Sequence, residues 1–335
     1  MIKAIHLADY LYSYGGGEHL LRDLINTSKE MEFTCINLKK SKTGYKMPVP
    51  VLDISEINPT TIEADVMFFW GYVGKSPRLF KRIPIKIKIG VSDFQTNWIT
   101  AGNDLATHAI AISESTKKAM KFPGECRVIH AGVDFSKHKI IVHRNKIREA
   151  LGFNPSDFLV GQFCRMEKFK NFEATIESIA PMQNNVKLLI IGTGPNLCNV
   201  LELCEKKLHG RYRYINYVDI QQLGTYFNCL DAFCLPSRGE GFARVQWESM
   251  FFGIPFIGTP VGAVPDIIKH KINGFIVKDN EDIRNAITSL MNKTYWETIS
   301  SNAKLCANTK GPMQIASSKI VQFIKEIQKR KTILL

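Results

Sequence analysis

The sequence contains no apolar run that approaches the roughly 20 residues that a membrane-spanning helix needs. Its first residues, 1–9, resemble a short strand, without the long apolar core or the small-residue cleavage site of a secretory signal peptide. These two absences predict a cytoplasmic protein. Peripheral contact with an anionic membrane surface stays open.

Cysteine pairs of the kind that bind zinc are also missing. The eight cysteines include no Cys-x-x-Cys spacing, and most lie in or beside apolar runs, at positions 35, 126, 164, 198, 204, 229, 234 and 306. We therefore predict reduced thiols in the core, without disulfides or structural zinc.

Acidic residues are outnumbered by basic ones. Lys and Arg number 44 against 31 Asp and Glu, which gives a formal net charge of +13. Such a surplus points to an anionic partner: a nucleic acid, an anionic membrane or a phosphorylated substrate. Since no nucleic-acid-binding module accompanies the charge, we expect no nucleic-acid partner.

The 335 residues, 45% apolar and 22% charged, suffice for two globular domains, each with its own core. Strand and helix signals alternate, which predicts parallel, doubly wound α/β sheets. The predicted strands are 2–8, 33–38, 49–53, 64–70, 83–91, 108–112, 158–163, 186–191 and 212–218. We predict domains at 1–140 and 141–312, and a C-terminal segment, 313–335, whose amphipathic helix packs back toward the first domain.

Predicted strand 83–91 has an unusual pattern. Its isoleucines, at 83, 85, 87 and 89, share one face, whereas Lys86 and Lys88 lie on the other. A central parallel strand is usually apolar on both faces. The lysines either protect a partly exposed strand from aggregation or form a surface for an anionic acceptor or lipid headgroup.

The most informative stretch is 237–250, with the sequence SRGEGFARVQWESM. It follows the apolar run 231–236 and leads into 253–258, a pattern that predicts a strand, a glycine-bearing turn, a helix and the next strand. Turns of this kind in α/β proteins lie where anions and sugars bind. Glu240 lies at the turn, and Glu248 lies inside the predicted helix, about 12 Å further along its axis.

That separation is too long for two groups acting on one bond, but it suits an extended ligand with hydroxyls at both ends. Between the carboxylates, the amides of Gly241, Phe242 and Ala243 are predicted to form a helix N-terminus that favours negative charge. A nucleotide sugar has both properties. The plainer alternative is that Glu240 caps the helix and Glu248 faces solvent.

Two further loops have the chemistry to bind phosphate. Arg165 and Lys170 bracket the loop after strand 158–163, which places two cations at the carboxyl end of a buried strand. Glycines 15–17 open a predicted helix, where bare backbone amides let a phosphate or a sugar approach closely. Each loop alone is weak evidence, because tight strand-to-helix turns need glycine and surface cations are common.

Taken together, these motifs resemble those of family-4-type retaining glycosyltransferases with the GT-B fold. The donor-site motif of that family resembles EGFARVQWESMFFGIP at 240–255, GAVPDII at 262–268 and NGFIV at 273–277. Its glycine-rich loop resembles 15–18, and the segment that closes its first domain resembles 128–134.

The resemblance implies two Rossmann-like doubly wound domains that face each other across a cleft. It implies transfer of a hexose-type sugar, with retention, from a UDP- or GDP-sugar to a hydroxyl of a glycan, a glycolipid or a protein-linked glycan. The implied catalytic residues are Arg165, Lys170, Glu240 and Asp93. The implied donor-binding residues are Gly16, Gly17, Val218, Gly241, Phe242, Ala243, Val245 and Glu248.

Within the resemblance, the two cations hold the donor diphosphate and Glu248 binds the ribose hydroxyls. No Asp-x-Asp metal motif occurs, and the acidic run 279–282 precedes a helix as a cap does, so we predict metal independence and no cofactor. The sequence departs from the family at Ser92, which stands where the family usually has a histidine near the reacting sugar. Either Asp93 or the Ser92 backbone takes over the contact of that histidine, or the alignment with the family is shifted by a few residues. Cys164 likewise replaces a glycine.

The same sequence is compatible with several other functions. The chain could be a catalytically silent GT-B protein that binds a nucleotide sugar or acts as a scaffold, a reading that Ser92 permits. A basic nucleic-acid-binding protein and a GT-B-shaped epimerase or phosphorylase are weaker alternatives. The sequence leaves the sugar, the base, the acceptor and the oligomeric state undetermined.

Overall fold

A computed structural model describes residues 1–8, 16–38, 47–70, 82–92 and 106–333 of the chain. The chain divides into two compact units. Unit 1 contains Met1–Asp134 and Pro312–Leu335, and unit 2 contains Phe135–Gly311. The sequence had placed the two boundaries after residues 140 and 312.

Each unit is built on one sheet. The strands of unit 1 are β1 (Ile2–Ala8), β2 (Met31–Asn37), β3 (Val51–Asp53), β4 (Val66–Trp70), β5 (Lys88–Ser92), β6 (His108–Ala111) and β7 (Cys126–Val128). Those of unit 2 are β8 (Phe158–Phe163), β9 (Val186–Ile191), β10 (Tyr212–Ile215), β11 (Ala232–Leu235), β12 (Phe256–Gly258) and β13 (Gly274–Ile276).

The strand order is β3-β2-β1-β4-β5-β6-β7 in unit 1 and β10-β9-β8-β11-β12-β13 in unit 2. The strand pairs in both sheets are parallel. In each sheet the order reverses beside the first strand of the unit, which is the Rossmann-like layout. The predicted α/β class with two doubly wound sheets is confirmed.

Helices connect the strands. They are α1 (Gly16–Thr27), α2 (Glu114–Met120), α3 (Arg144–Ala150), α4 (Phe172–Ile179), α5 (Leu197–Leu208), α6 (Ile220–Asn228), α7 (Arg244–Phe251), α8 (Val264–Ile267), α9 (Asn280–Leu290), α10 (Lys293–Lys310) and α11 (Met313–Ile333). None of these helices combines the length and the apolar character needed to cross a bilayer.

Polar side chains fix where three of these helices begin. Ser113 accepts a hydrogen bond from the Thr116 amide at the start of α2, at 3.1 Å. Asp279 does the same for the Asp282 amide at the start of α9, at 2.9 Å. Asp219 caps α6 in the same way. All three starts agree with the sequence, because a short polar side chain satisfies an amide that the first turn leaves unbonded.

Several strands are shorter than the sequence predicted, and β5 and β10 differ most among the predicted ranges given above. The ladder between β4 and β5 begins only at Lys88, so the prediction of a strand over 83–87 is wrong. The burial pattern there is as predicted, since Ile83, Ile85 and Ile87 are buried and Lys86 is exposed. β10 ends at Ile215, so 216–218 is a loop.

The core of unit 2 lies on both faces of its sheet. All residues of β8 and β11 are buried, which is the pattern of central parallel strands. On one face the ring centroids of Phe163 lie 5.0 Å from Phe227 and 5.4 Å from Phe233. The eight cysteines are free thiols; four are buried, three are half-buried and Cys198 is exposed. The packed strands give the loops at their carboxyl ends a fixed base.

In unit 1, α11 packs beside α1. Its polar side chains form ion pairs with residues far away in sequence: Lys325 with Glu30 at 2.5 Å and Arg330 with Glu125 at 2.8 Å. At its start, the Met313 amide donates to the Val133 carbonyl at 3.1 Å. These contacts attach the last helix to unit 1.

Candidate functional site

Two loops at the carboxyl end of the unit 2 sheet contain the principal predicted site residues. One loop, 164–171, follows β8, and the other, 236–243, follows β11. The two strands are parallel neighbours, so the loops emerge at the same edge. They are joined directly, because the Arg238 amide donates to the Phe169 carbonyl at 2.7 Å.

An ion pair links the two loops. Lys170 Nζ donates to Glu240 Oε1 at 2.5 Å, and their side chains are only 15% and 7% exposed. Ser237 Oγ donates to the same carboxylate oxygen at 2.7 Å, and Gln162 Nε2 donates to the Lys170 carbonyl at 3.0 Å. The structure thus brings together two residues that the sequence had placed 70 positions apart in one predicted site.

The thiol of Cys164 lies close enough to this pair to feel its charges. Burial raises the pKa of Cys164 to about 12, while Lys170 acts to lower it and Glu240 to raise it. The thiol is therefore protonated at neutral pH and is a poor nucleophile. Its side chain contributes volume to the loop where the resembled family has a glycine.

Arg165, the second predicted cation, is not part of this pair. Its side chain is 71% exposed, and its Nε lies 3.0 Å from Glu167 Oε1. An exposed ion pair of this kind contributes little free energy, so the guanidinium can leave Glu167 at small cost. Among the described side chains, no group of three or more His, Cys, Asp or Glu residues is arranged to hold a metal ion.

The helix that follows the second loop begins later than predicted. Ala243 is the N-cap of α7, with φ −87° and ψ 96°, and the first helical residue is Arg244. The prediction that Gly241–Ala243 form the first turn is therefore wrong. Glu240 lies in the loop before the helix. The predicted separation of Glu240 and Glu248, which assumed that both lie along one helix axis, therefore does not apply.

Close packing against a glycine explains this loop. Gly262 has φ +55°, and a Cβ built on it would lie 2.5 Å from the Glu240 carbonyl oxygen and 2.6 Å from that of Gly241. Only a residue without a side chain allows the two backbones to approach so closely. The approach holds 240–241 in its loop conformation, which a reading of helix signals alone could not anticipate.

Glu248 lies in a second polar cluster, on α7. It is 4% exposed, and its Oε1 lies 3.4 Å from His138 Nε2 and 3.5 Å from Arg244 Nη2. The alternative that Glu248 faces solvent is therefore wrong. Sequence reasoning missed both partners. Arg244 stands four residues before Glu248, a spacing that places two side chains on one helix face, but nothing in the sequence pointed to His138.

The remaining predicted residues are distributed over both units. Val218 lies half-buried in the loop after β10, beside Tyr217, which is 73% exposed. Val245 is half-buried in the first turn of α7. In unit 1, Gly16 and Gly17 are the first residues of α1, and Asp93 lies outside the described residues.

Curated relatives align with part of the chain. N-acetyl-alpha-D-glucosaminyl L-malate synthase of Bacillus anthracis is 29% identical over 133 residues, which are 39% of this chain and 35% of that protein. The lipopolysaccharide core biosynthesis mannosyltransferase LpsB of Rhizobium meliloti is 28% identical over 166 residues, 48% of this chain and 47% of that protein. The chain thus spans between a third and a half of the length of these relatives.

Among solved structures, HepE from Anabaena in complex with UDP-glucose superposes with a TM-score of 0.81. The superposition covers 97% of this chain and all of that one, at 18% sequence identity. Identity at this level shows the fold alone, and the fold is GT-B.

The family model described as "Glycosyl transferases group 1" matches residues 143–310, which is half of the chain. The matched range contains the Lys170–Glu240 pair, Glu248 and the Gly262 contact. The chain belongs to the glycosyl transferases group 1 family.

Proposed function

We propose that this protein is a retaining glycosyltransferase. It transfers a hexose-type sugar from a UDP- or GDP-sugar to a hydroxyl of a glycan, a glycolipid or a protein-linked glycan. The buried contact between Lys170 and Glu240 carries the proposal, because a cation and a carboxylate meet there at the carboxyl edge of a doubly wound sheet. Ligands bind at this edge in open α/β sheets.

In the proposed complex, Lys170 exchanges Glu240 for the donor diphosphate. Cleavage of the bond between sugar and diphosphate leaves additional negative charge on the phosphate, and a fixed cation stabilises that charge in the transition state. Arg165, whose side chain is largely exposed, moves from Glu167 to the same diphosphate. These two cations supply the positive charge that a divalent metal supplies elsewhere, so we propose metal independence.

The other predicted residues contact the sugar, the ribose and the base of the donor. Glu240, released from Lys170, and the amides of 241–243 orient the transferred sugar. Glu248 and Val245 bind the ribose side, and the backbone at Val218 contacts the base. We assign Gly16 and Gly17 to the donor as well, and Asp93 to the reacting sugar.

We propose that the protein works in the cytoplasm and meets its acceptor at a membrane surface, where a net charge of +13 favours anionic lipid. Two cations of the basic terminal helix, Lys325 and Arg330, are already paired within unit 1. Membrane contact would therefore use other basic residues.

Thermal stabilisation by a set of UDP- and GDP-sugars tests the donor assignment. A ligand that binds only the native state at 100 times its Kd stabilises it by about 2.7 kcal/mol, so a true donor raises Tm measurably. The best ligand is then incubated with the protein, and nucleoside diphosphate release is followed with and without a chelator. We expect release under both conditions.

Each outcome has a distinct meaning. Stabilisation without any release, with or without candidate acceptors, would support the catalytically silent alternative that Ser92 permits. Release that stops on chelation would contradict metal independence and leave the donor assignment intact. A complete absence of stabilisation by both nucleotide classes would refute the proposed donor.

A further inference from the structure

His138 is buried in the structure although its side chain is polar. It lies four residues into unit 2, directly after a short 3₁₀ turn at Phe135–Lys137, and its backbone amide donates to the Phe135 carbonyl at 3.0 Å. Its side chain is fully buried. Histidines are usually at least partly exposed, so this burial needs an explanation.

Aromatic rings hold the imidazole in one orientation. The His138 ring lies edge-on to Phe135, with centroids 6.2 Å apart, and tilted against Phe252 at 6.4 Å. Phe135 is itself fixed, because it stacks on Phe251 at 4.1 Å with an interplanar angle of 5°. A side chain locked by its neighbours in this way keeps its polar atoms at fixed positions.

The fixed imidazole points toward one carboxylate oxygen. His138 Nε2 lies 3.4 Å from Glu248 Oε1, the same oxygen that Arg244 Nη2 approaches at 3.5 Å. Neither ring nitrogen of His138 makes a hydrogen bond to the part of the chain that the structure describes. Buried polar atoms are normally bonded, and hydrogen bonds in a site without its ligand are often long and shorten when the ligand binds.

We propose that His138 is a positioning residue for the ribose-binding carboxylate. Once the donor is bound, the Nε2–H group of His138 donates a hydrogen bond to Glu248 Oε1. His138 and Arg244 together then hold the carboxylate in the orientation in which it accepts hydrogen bonds from both ribose hydroxyls. This inference rests on the proposed function, in which Glu248 binds the ribose. It adds a residue that no sequence motif singled out.

If His138 positions Glu248, replacing it should weaken the binding only of nucleotides that carry the ribose hydroxyls. Titration calorimetry would measure Kd for UDP and GDP and for their 2′,3′-dideoxy forms, with wild type, His138→Phe, His138→Gln and the control His143→Phe. His143 is an exposed histidine in the same segment. For whichever ribonucleotide binds the wild type, we expect His138→Phe to raise the Kd about tenfold. This factor corresponds to the loss of one hydrogen bond to a charged group.

The dideoxy form should bind wild type and His138→Phe equally. We expect His138→Gln, which keeps an N–H donor, to recover much of the lost affinity, and His143→Phe to behave as wild type. If His138→Phe folds poorly by circular dichroism, His138→Leu replaces it. Equal weakening of both nucleotide forms would show a merely structural role, and unchanged Kd values would show no role; either result overturns the inference.

A Glu248→Gln variant separates this inference from the proposed function. If Glu248→Gln weakens the ribonucleotide and His138→Phe does not, the ribose assignment of Glu248 stands and the role of His138 is refuted. If Glu248→Gln leaves the Kd unchanged, the ribose assignment itself fails and the inference fails with it. Absence of UDP and GDP binding to wild type would refute both.

Discussion

Replacing Lys170 by alanine removes the cation that links the two site loops. We expect the variant to release nucleoside diphosphate from the donor about 10²–10³-fold more slowly, the range observed when one group that stabilises transition-state charge is deleted. The structural reason is the 2.5 Å contact of Lys170 with Glu240, with side chains 15% and 7% exposed, which holds the cation beside the proposed diphosphate position until the donor binds.

The same substitution leaves Glu240 buried without its cation. Breaking a buried ion pair from one side costs about 3–5 kcal/mol, and we expect the lower end because Ser237 Oγ still donates to Glu240. A loss of about 3 kcal/mol is smaller than the usual 5–15 kcal/mol stability of a folded protein, so the fold survives. Glu240→Ala, which removes the proposed sugar-orienting carboxylate, should abolish transfer.

Lys168→Ala and the double variant Lys170→Ala/Glu240→Ala test this site further. Lys168→Ala removes an exposed cation from the 3₁₀ turn Lys168–Lys170, which also contains Lys170, and should leave turnover and stability unchanged. The double variant Lys170→Ala/Glu240→Ala removes both charges, so urea unfolding should show a smaller loss of stability than the sum of the two single losses, while nucleoside diphosphate release stays at least as slow as in Lys170→Ala. Additive losses, or unchanged turnover in both single variants, would contradict the proposed site.

Two predictions concern other positions. Burial lowers the pKa of His6 from 6.5 to about 3, so at acidic pH the unfolded chain binds a proton that the native state does not. Urea unfolding should therefore show the free energy of unfolding falling by about 1.6 kcal/mol from pH 6.5 to pH 5, with a smaller fall in His6→Leu. An equal fall in both proteins would contradict this. Gly262→Ala should destabilise unit 2 by roughly 1–3 kcal/mol and weaken donor binding, because its methyl group would meet the Glu240 carbonyl. Gly210→Ala is the control, because Gly210 also has a positive φ, +71°, but a Cβ there would meet no atom within 4 Å. It should leave donor binding unchanged, and equal donor affinity in the two variants would contradict a role of Gly262 in packing the loop.

The sheet architecture could be predicted from the sequence because its signals are local. Apolar runs mark buried strands, and capping residues such as Ser113 and Asp279 mark helix starts with their own side chains. The convergence of Lys170 with Glu240 could be predicted because both follow buried parallel strands, and the carboxyl ends of such strands share one edge.

Other features depend on contacts that no local pattern encodes. The start of α7 at Arg244 reflects the close approach of Gly262 to the preceding loop, which involves residues more than twenty positions away. The exposed orientation of Arg165 depends on its neighbour Glu167, and a strand-end cation looks the same in sequence whether it points inward or outward. His138 meets Glu248 only because the fold brings α7 beside the start of unit 2.

The division of the chain affects the order in which it can fold. Unit 2 is one continuous segment, Phe135–Gly311, whereas unit 1 takes α11 from the far side of that segment. During synthesis the ribosome has made all of unit 2 before the Met313 amide can reach the Val133 carbonyl or Lys325 can reach Glu30. The first unit to begin is therefore the last to be finished, and until then the surface of α1 that receives α11 is available to chaperones or to a neighbouring nascent chain.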